Sequence, residues 1–250
     1  MSGAHASRIL AFNVDAGALH KCDAVTGTNK SDQRRWSKVW FGFPHVGAGH
    51  KDEHRNVLAN QLLILRFLIS VAPYLTEGPL PEAIQGRKRR AASEDDEDDE
   101  EPIEAADDEP DVSATSVPPR RQGSVLITIR NVVPYTLWNI PMLGKRLRDV
   151  LQPIAASAPS PPKGIRAPTV SDVDKNGAQY VLWRSFEFVP SNWPGYSHRR
   201  TVGFVEGLST SHNEDLLRRP TQPPQQGQPS GRHVGTGECR TYELALQPVH

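Results

Sequence analysis

Apolar residues in this chain gather in short runs separated by long polar stretches. Arg8 to Val14 is one such run; it closes on Asp15 and predicts a buried strand. Val39 to Phe43 predicts a second strand, closed by Pro44. Gly47, Ala48 and Gly49 then form a loop, and Asp52 and Glu53 suit the positive end of a helix. Leu58, Leu62, Leu65, Ile69 and Ala72 recur at steps of four and three, and Leu63 and Phe67 widen the stripe. They predict a helix from about Asp52 to Ala72, packed on a sheet and stopped by Pro73. Val125 to Ile129 predicts a further buried strand. Leu143, Leu147 and Val150 share one face of a short helix from Pro141 to Leu151. Residues 152–177 are rich in Pro and Ala and read as a loop. Tyr180 to Phe188 predicts a strand, with Trp183, Phe186 and Phe188 in the core. Tyr242, Leu244 and Leu246 alternate with Glu243 and Ala245, the period of a last strand.

Strands alternating with helices predict an α/β sheet, mostly parallel. The last two strands have only a Pro/Gln-rich linker, 210–236, between them, which suits an antiparallel pair across a long loop. An α/β sheet binds ligands at the carboxyl ends of its strands. Asp15, Pro44, His45, Tyr135 and Trp138 follow strand ends and are the first candidates for a site.

Composition divides the chain further. Hydrophobic residues make up 37% and 22 residues are proline, which implies one modest core with unpacked chain around it. Residues 79–122 hold too little apolar surface to offset the cost of ordering and read as a disordered insertion. Within it, the basic run Arg87 to Arg90 resembles a nuclear localisation patch, and 13 acidic residues follow between Glu94 and Asp111. The formal net charge of zero is therefore an average. Outside the acidic stretch, 29 basic residues face 16 acidic ones, a balance that suits a polyanion such as RNA. Cys22 and Cys239 are too far apart in sequence to suggest a disulfide framework, which favours a reducing compartment. Val57 to Ala72 is too short and too interrupted by Asn60, Gln61 and Arg66 to predict a membrane span. His50 and His54 stand four apart without a cysteine pair near them, so no metal site is expected.

Four segments together carry a resemblance. Val14-Asp15-Ala16 follows a strand. Phe41-Gly42-Phe43-Pro44-His45-Val46-Gly47 precedes a helix with Arg55-Asn56 and Asn60-Gln61. Pro134-Tyr135-Thr136-Leu137-Trp138-Asn139 follows the next strand, and Trp193-Pro194-Gly195-Tyr196-Ser197-His198-Arg199-Arg200-Thr201 the one after. In this combination the chain resembles the 25S ribosomal RNA uridine-N3 methyltransferases. The resemblance implies a class I, Rossmann-like methyltransferase sheet whose strands run third, second, first, fourth, fifth, seventh, sixth. It implies methyl transfer from S-adenosylmethionine to N3 of a uridine in large-subunit rRNA, with rRNA or a pre-ribosomal particle as partner and a nuclear, nucleolar location (alternatively cytoplasmic). By position, Asp15 and Ala16 would lie near the cofactor's adenine, and Phe43, Pro44 and His45 where the target base is held for catalysis. Tyr196, His198 and Arg199 would cap the base pocket or touch RNA phosphate.

The chain departs from the family pattern in two places. Gly42 stands where the family has asparagine. The family's glycine-rich turn after strand one and the acidic residue after strand two lie upstream of Asp15 in family order, and only fourteen residues precede Asp15 here. The expectation is one partial domain over 1–250, an incomplete methyltransferase sheet lacking its first two strands. Arg8 to Val14 must then pair directly with Val39 to Phe43 or leave a bare edge. A non-catalytic RNA-binding or ribosome-assembly protein on a degenerate methyltransferase fold is the alternative expectation.

Overall fold

The computed structural model describes residues 11–28, 34–47, 52–80, 121–161, 164–194, 196 and 239–248. Their strands are β1 (Lys38–Gly42), β2 (Ser124–Arg130), β3 (Tyr180–Glu187) and β4 (Cys239–Leu246). Their α-helices are α1 (Asp23–Thr26), α2 (Glu53–Val71), α3 (Ile140–Lys145), α4 (Leu147–Ser157) and α5 (Val170–Asn176). A 3-10 turn at Ala16–Lys21 precedes α1.

The sheet is mixed, not mostly parallel. Its order is β1-β2-β4-β3. Only β1 and β2 are parallel; β4 runs antiparallel to both β2 and β3. The expected antiparallel pairing of the last two strands is present, but β4 also separates β3 from β2. Lying between β2 and β3, β4 satisfies both of its edges, which no local pattern encodes.

Helix α2 is the centre of the fold. Asp52 caps it by accepting from the Arg55 N–H at 2.9 Å, Glu53 lies in its first turn, and the chain turns at Pro73. Ile64, Leu65, Leu68 and Val71 are fully buried, and Phe67 packs on Phe41 of β1 with ring centroids 4.4 Å apart. Burying a side chain of this size contributes about 1.5–3 kcal/mol. By length and composition, Glu53–Tyr74 could cross a membrane, so the argument that the segment is too short and polar does not hold. Its burial against the sheet and the other helices is that of a core helix.

Three other expectations are corrected. First, residues 11–15 form no strand; Phe12 is 78% exposed, and Arg8 to Leu10 lie outside the described residues. Nothing among the described residues pairs with the outer edge of β1. The chain instead enters the 3-10 turn at Asp15 and anchors on the outside of α2. Leu19 is buried there, and its N–H donates to Ser70 Oγ at 2.7 Å. Second, 152–177 is not a loop. Helix α4 continues through Pro153 to Ser157 because Leu147, Leu151 and Ile154 bury as one stripe, and their packing outweighs the lost backbone bond. Helix α5 follows, opened by a Thr169–Asp172 capping box and closed by Gly177 in the left-handed region. Third, the expected helix over Pro141 to Leu151 is two helices broken at Arg146. Gly144 lies so close to β4 that a Cβ there would sit 2.8 Å from Leu244 Cδ1.

The ends of the insertion are ordered. Gln122 is buried; its N–H donates to the Pro79 carbonyl at 3.1 Å, and its Oε1 accepts from the Gly78 N–H at 2.8 Å. The chain thus leaves and returns at one point. Its interior, 81–120, and the linker 210–236 lie outside the described residues.

The sheet face away from α2 is polar. Thr128 and Thr241 hydroxyls share a 2.7 Å bond across β2 and β4. The buried Glu243 carboxylate accepts from Ser124 Oγ (2.7 Å), Arg184 Nε (2.8 Å) and Lys38 Nζ (3.0 Å). Trp183 and Phe186 belong with these cations and not in the apolar core: both are half-buried, with the Arg184 guanidinium 4.9 Å and 5.2 Å from their ring centroids. Phe188 is buried as expected.

Burial would raise the Glu243 pKa, but the bonds from Ser124, Arg184 and Lys38 outweigh it and hold the carboxyl below its usual value of 4.5. A depressed folded pKa stabilises above the unfolded value and loses that contribution as pH falls through the folded one. Glu243→Gln should therefore lower stability at pH 7 by about 1–3 kcal/mol and flatten the acid limb of a melting-temperature profile below about pH 4.5. An unchanged acid limb in the variant would show that Glu243 does not set it.

Candidate active site

The carboxyl ends of the two parallel strands lie side by side, with Gly42 opposite Thr128. The chain leaves β1 through Phe43, whose φ of 51° is in the left-handed region, an uncommon conformation for a bulky residue. Its N–H still donates to the Thr128 carbonyl at 2.8 Å. This turn aims the Phe43 ring at Phe188, with centroids 5.9 Å apart.

Two side chains of α2 fix the loops above these ends. Asn60 is buried; its Oδ1 accepts from the Val46 N–H at 2.9 Å, and its Nδ2 donates to the Asn56 carbonyl and Oδ1. Gln61 Nε2 reaches the carbonyls of Leu137 and Trp138, both at 3.4 Å. Adjacent residues on one helix thus hold the loop after β1 and the loop after β2.

Two aromatic groups result. On one side, Trp40 stacks on Trp193 at 6.2 Å and 21°, and Phe188 and Tyr196 pack against Trp40 at 5.6 Å and 5.9 Å. Trp40 is 45% exposed and Trp193 54% exposed, so the stack is partly open to solvent. The Trp40 Nε1–H donates to Thr128 Oγ1 at 2.8 Å, which fixes its plane. On the other side, His45 lies 6.5 Å from Tyr135 and 6.2 Å from Trp138. The Arg130 guanidinium stands 6.0 Å from the Tyr135 ring.

His45 is exposed at its rim, while its packing against these rings desolvates it and lowers its pKa from the ordinary 6.5. The imidazole is thus neutral at physiological pH. Its Nδ1 accepts from the Gly47 N–H at 2.9 Å, which leaves the proton on Nε2. This histidine therefore offers a hydrogen-bond donor and is not set up as a base.

The structure brings Phe43, Pro44, His45 and Tyr196 to one end of the sheet, with Pro44 buried beneath. It does not bring Asp15 and Ala16 there. The Asp15 carboxylate accepts from the Gly17 N–H at 2.8 Å and pairs with Arg66 at 3.0 Å, beside the second half of α2. His198 and Arg199 lie outside the described residues. Trp40, Trp193 and Arg130 are site residues that sequence reading did not single out. For Trp40 a signal exists: strand alternation puts residues 38, 40 and 42 opposite the packed Val39 and Phe41.

The sequence profile of a family described as BMT5-like, rRNA (uridine-N3-)-methyltransferase, matches residues 5–200. The chain belongs to this family. A relative in Saccharomyces cerevisiae, 25S rRNA (uridine(2634)-N(3))-methyltransferase, is 25% identical over 202 residues. The match covers 76% of this chain and 47% of the yeast protein, so the chain spans about half the length of that relative. No solved structure matches. Within this BMT5-like chain, the aromatic residues at this sheet end other than Phe188 fall in segments that carried the family resemblance, or in β1 beside them.

Trp138 is completely buried and its Nε1–H has no hydrogen-bond partner among the described residues. Replacing the indole by phenyl removes an unsatisfied donor as well as volume. Trp138→Phe should cost less than about 1.5 kcal/mol, whereas Trp138→Ala should cost about 3–5 kcal/mol. Asn60→Ala should cost about 1–3 kcal/mol by stranding the Val46 N–H. Chemical denaturation of the three variants measures all of these; a Phe variant as unstable as the Ala variant would contradict the account of Trp138.

Proposed function

We propose that this chain forms the uridine-binding side of an rRNA (uridine-N3-) methyltransferase that uses S-adenosylmethionine as methyl donor. The observation that carries the reading is the pairing of an exposed Trp40–Trp193 stack with the neutral His45 donor at one sheet end. RNA bases taken out of a helix are held by aromatic faces, and a uracil ring needs such a surface to be presented for attack. Methylation at N3 requires loss of the N3 proton, which passes to solvent water, and the charge left behind spreads onto the two flanking carbonyl oxygens. A fixed Nε2–H of His45 suits those oxygens, in the manner of an oxyanion donor. Under this reading His45 stabilises the developing charge; Phe43 and Pro44 shape the pocket; Tyr196 packs beside the base.

The sheet order supports the same reading. β1-β2-β4-β3, with β4 antiparallel, reproduces the fourth, fifth, seventh and sixth strands of the order that the resemblance implies. On this reading the four strands are the second half of a class I, Rossmann-like methyltransferase sheet. The fit to the cofactor is poorer. Asp15 is engaged by Arg66 and Gly17, away from the aromatic site. A pre-ribosomal particle is the proposed partner, and the basic run Arg87 to Arg90 favours the nucleus and nucleolus as the place of action.

Incubating the full chain with S-adenosylmethionine and a large-subunit rRNA transcript should yield 3-methyluridine by nucleoside mass spectrometry. His45→Ala should lower the yield about 100-fold, the usual effect of losing one transition-state donor. Trp40→Ala should weaken RNA binding by about 1–3 kcal/mol. Binding of RNA with no methylated product would leave the RNA-binding, non-catalytic alternative; no product and no binding would remove both.

A further inference from the structure

A groove of about 590 Å³ runs between the Ala16–Lys21 turn, the second half of α2 and the segment that leads into α5. It lies away from the aromatic site: none of residues 40–47, 130–138 or 188–196 lines it. Arg66 is six residues beyond Asn60 on α2, about 9 Å along the helix axis. Four cations line the groove: Lys21, Arg66, Arg166 and Lys175. Two carboxylates answer them. Asp15 pairs with Arg66 at 3.0 Å, and Asp172 with Arg166 at 2.8 Å and 2.9 Å. Burial would raise the Asp172 pKa, but its bonds from Arg166 and Thr169 lower it, so this pair stays charged and matched.

Lys21 and Lys175 are left over. Both are exposed, both line the groove, and neither has a carboxylate within ion-pair distance among the described residues. Among the lining residues the groove therefore carries a surplus of two positive charges, contributed by the turn and by α5. The two matched pairs act as fixed walls. Gly17 lets the Arg66 guanidinium lie against the backbone, since a Cβ there would stand 2.6 Å from Arg66 Cζ. Tyr74, Pro73, Ile165 and Pro168 add uncharged lining. The volume lies within the roughly 300–1,000 Å³ range of sites that take a nucleotide-sized ligand, larger than a lone phosphate needs.

We propose that this groove binds the phosphodiester backbone of an RNA strand through Lys21 and Lys175, as a second contact apart from the aromatic site. The proposal rests on the reading of the chain as an RNA-modifying protein. Phosphate contacts of this kind set register and carry no sequence information, which is what a base-holding site elsewhere on the same strand requires. Each phosphate neutralised on single-stranded RNA adds about 0.7 to the slope of log affinity against log salt.

The test is fluorescence anisotropy of the full chain with a labelled single-stranded, uridine-containing RNA over a series of KCl concentrations. The double variant Lys21→Ala/Lys175→Ala should bind more weakly, and its salt slope should fall by about 1.4 relative to the unaltered chain. Lys21→Arg/Lys175→Arg should keep the slope. Trp40→Ala should weaken binding with the slope unchanged. Both lysines are exposed, so the melting temperature of the double variant should not move, and a loss of fold would show in that measurement. An unaltered slope in the double variant overturns the proposal, as does an unaltered chain that binds no RNA. The two readings fail separately. Methyl transfer with an unaltered slope removes the groove but not the enzyme, and a reduced slope without methyl transfer does the reverse.

Discussion

Helix α2 is the constraint on which the other parts depend. It is buried on almost every side, yet it carries polar groups that bond three other segments: the loop after β1, the loop after β2 and the turn that begins at Asp15. Asn60 takes the Val46 N–H, Gln61 reaches the Leu137 and Trp138 carbonyls, Arg66 pairs with Asp15, and Ser70 accepts from Leu19. Its backbone joins in where side chains do not. The Leu68 carbonyl accepts from Tyr180 Oη at 2.7 Å, and the Ile69 carbonyl from Asn176 Nδ2 at 3.0 Å. A buried polar group is stable only when paired, so each of these bonds fixes the position of the segment that supplies it. One rigid helix thereby sets the site loops at its amino end and the cationic groove toward its carboxyl end.

The two sheet faces divide the remaining work. The face under α2 is apolar and supplies the core. The opposite face is tied by hydroxyls and by Glu243 with its two cations, and at its carboxyl end it carries Trp40. Because the Trp40 indole N–H is bonded to Thr128, and Thr128 to Thr241, the ring's plane is set by the same polar lattice that joins β2 to β4. A stacking surface needs that rigidity, since ordering a loose ring on binding would subtract from affinity.

Correcting the start of the chain changes how the site relates to the family. An Asp15 at a strand end beside β1 would have stood with the loop after β1. On the outside of α2, paired with Arg66, it serves the groove. The family membership therefore bears on the loops at 43–47, 134–139 and 193–196. Those loops converge on one sheet end, and there neutral His45 is a donor because Gly47 occupies its other nitrogen.

Local pattern was enough for the elements of α2 and of all four strands. Their apolar periods are intrinsic to a few consecutive residues, and the caps at Asp52 and the stop at Pro73 are readable beside them. The same local logic failed where burial partners decide. Leu147, Leu151 and Ile154 carry a helix through Pro153, and Phe12, within an apolar run, faces solvent because no strand edge receives it. The strand order, the ion partners of Glu243, the stack of Trp40 on Trp193 and the placing of Lys21 and Lys175 along one groove were decided only by tertiary structure. These contacts join residues far apart in the chain, 113 positions for Thr128 and Thr241 and 59 for Arg184 and Glu243, or set distant segments along α2. A one-dimensional period records which face of an element is apolar; it does not record what that face, or its opposite, will meet.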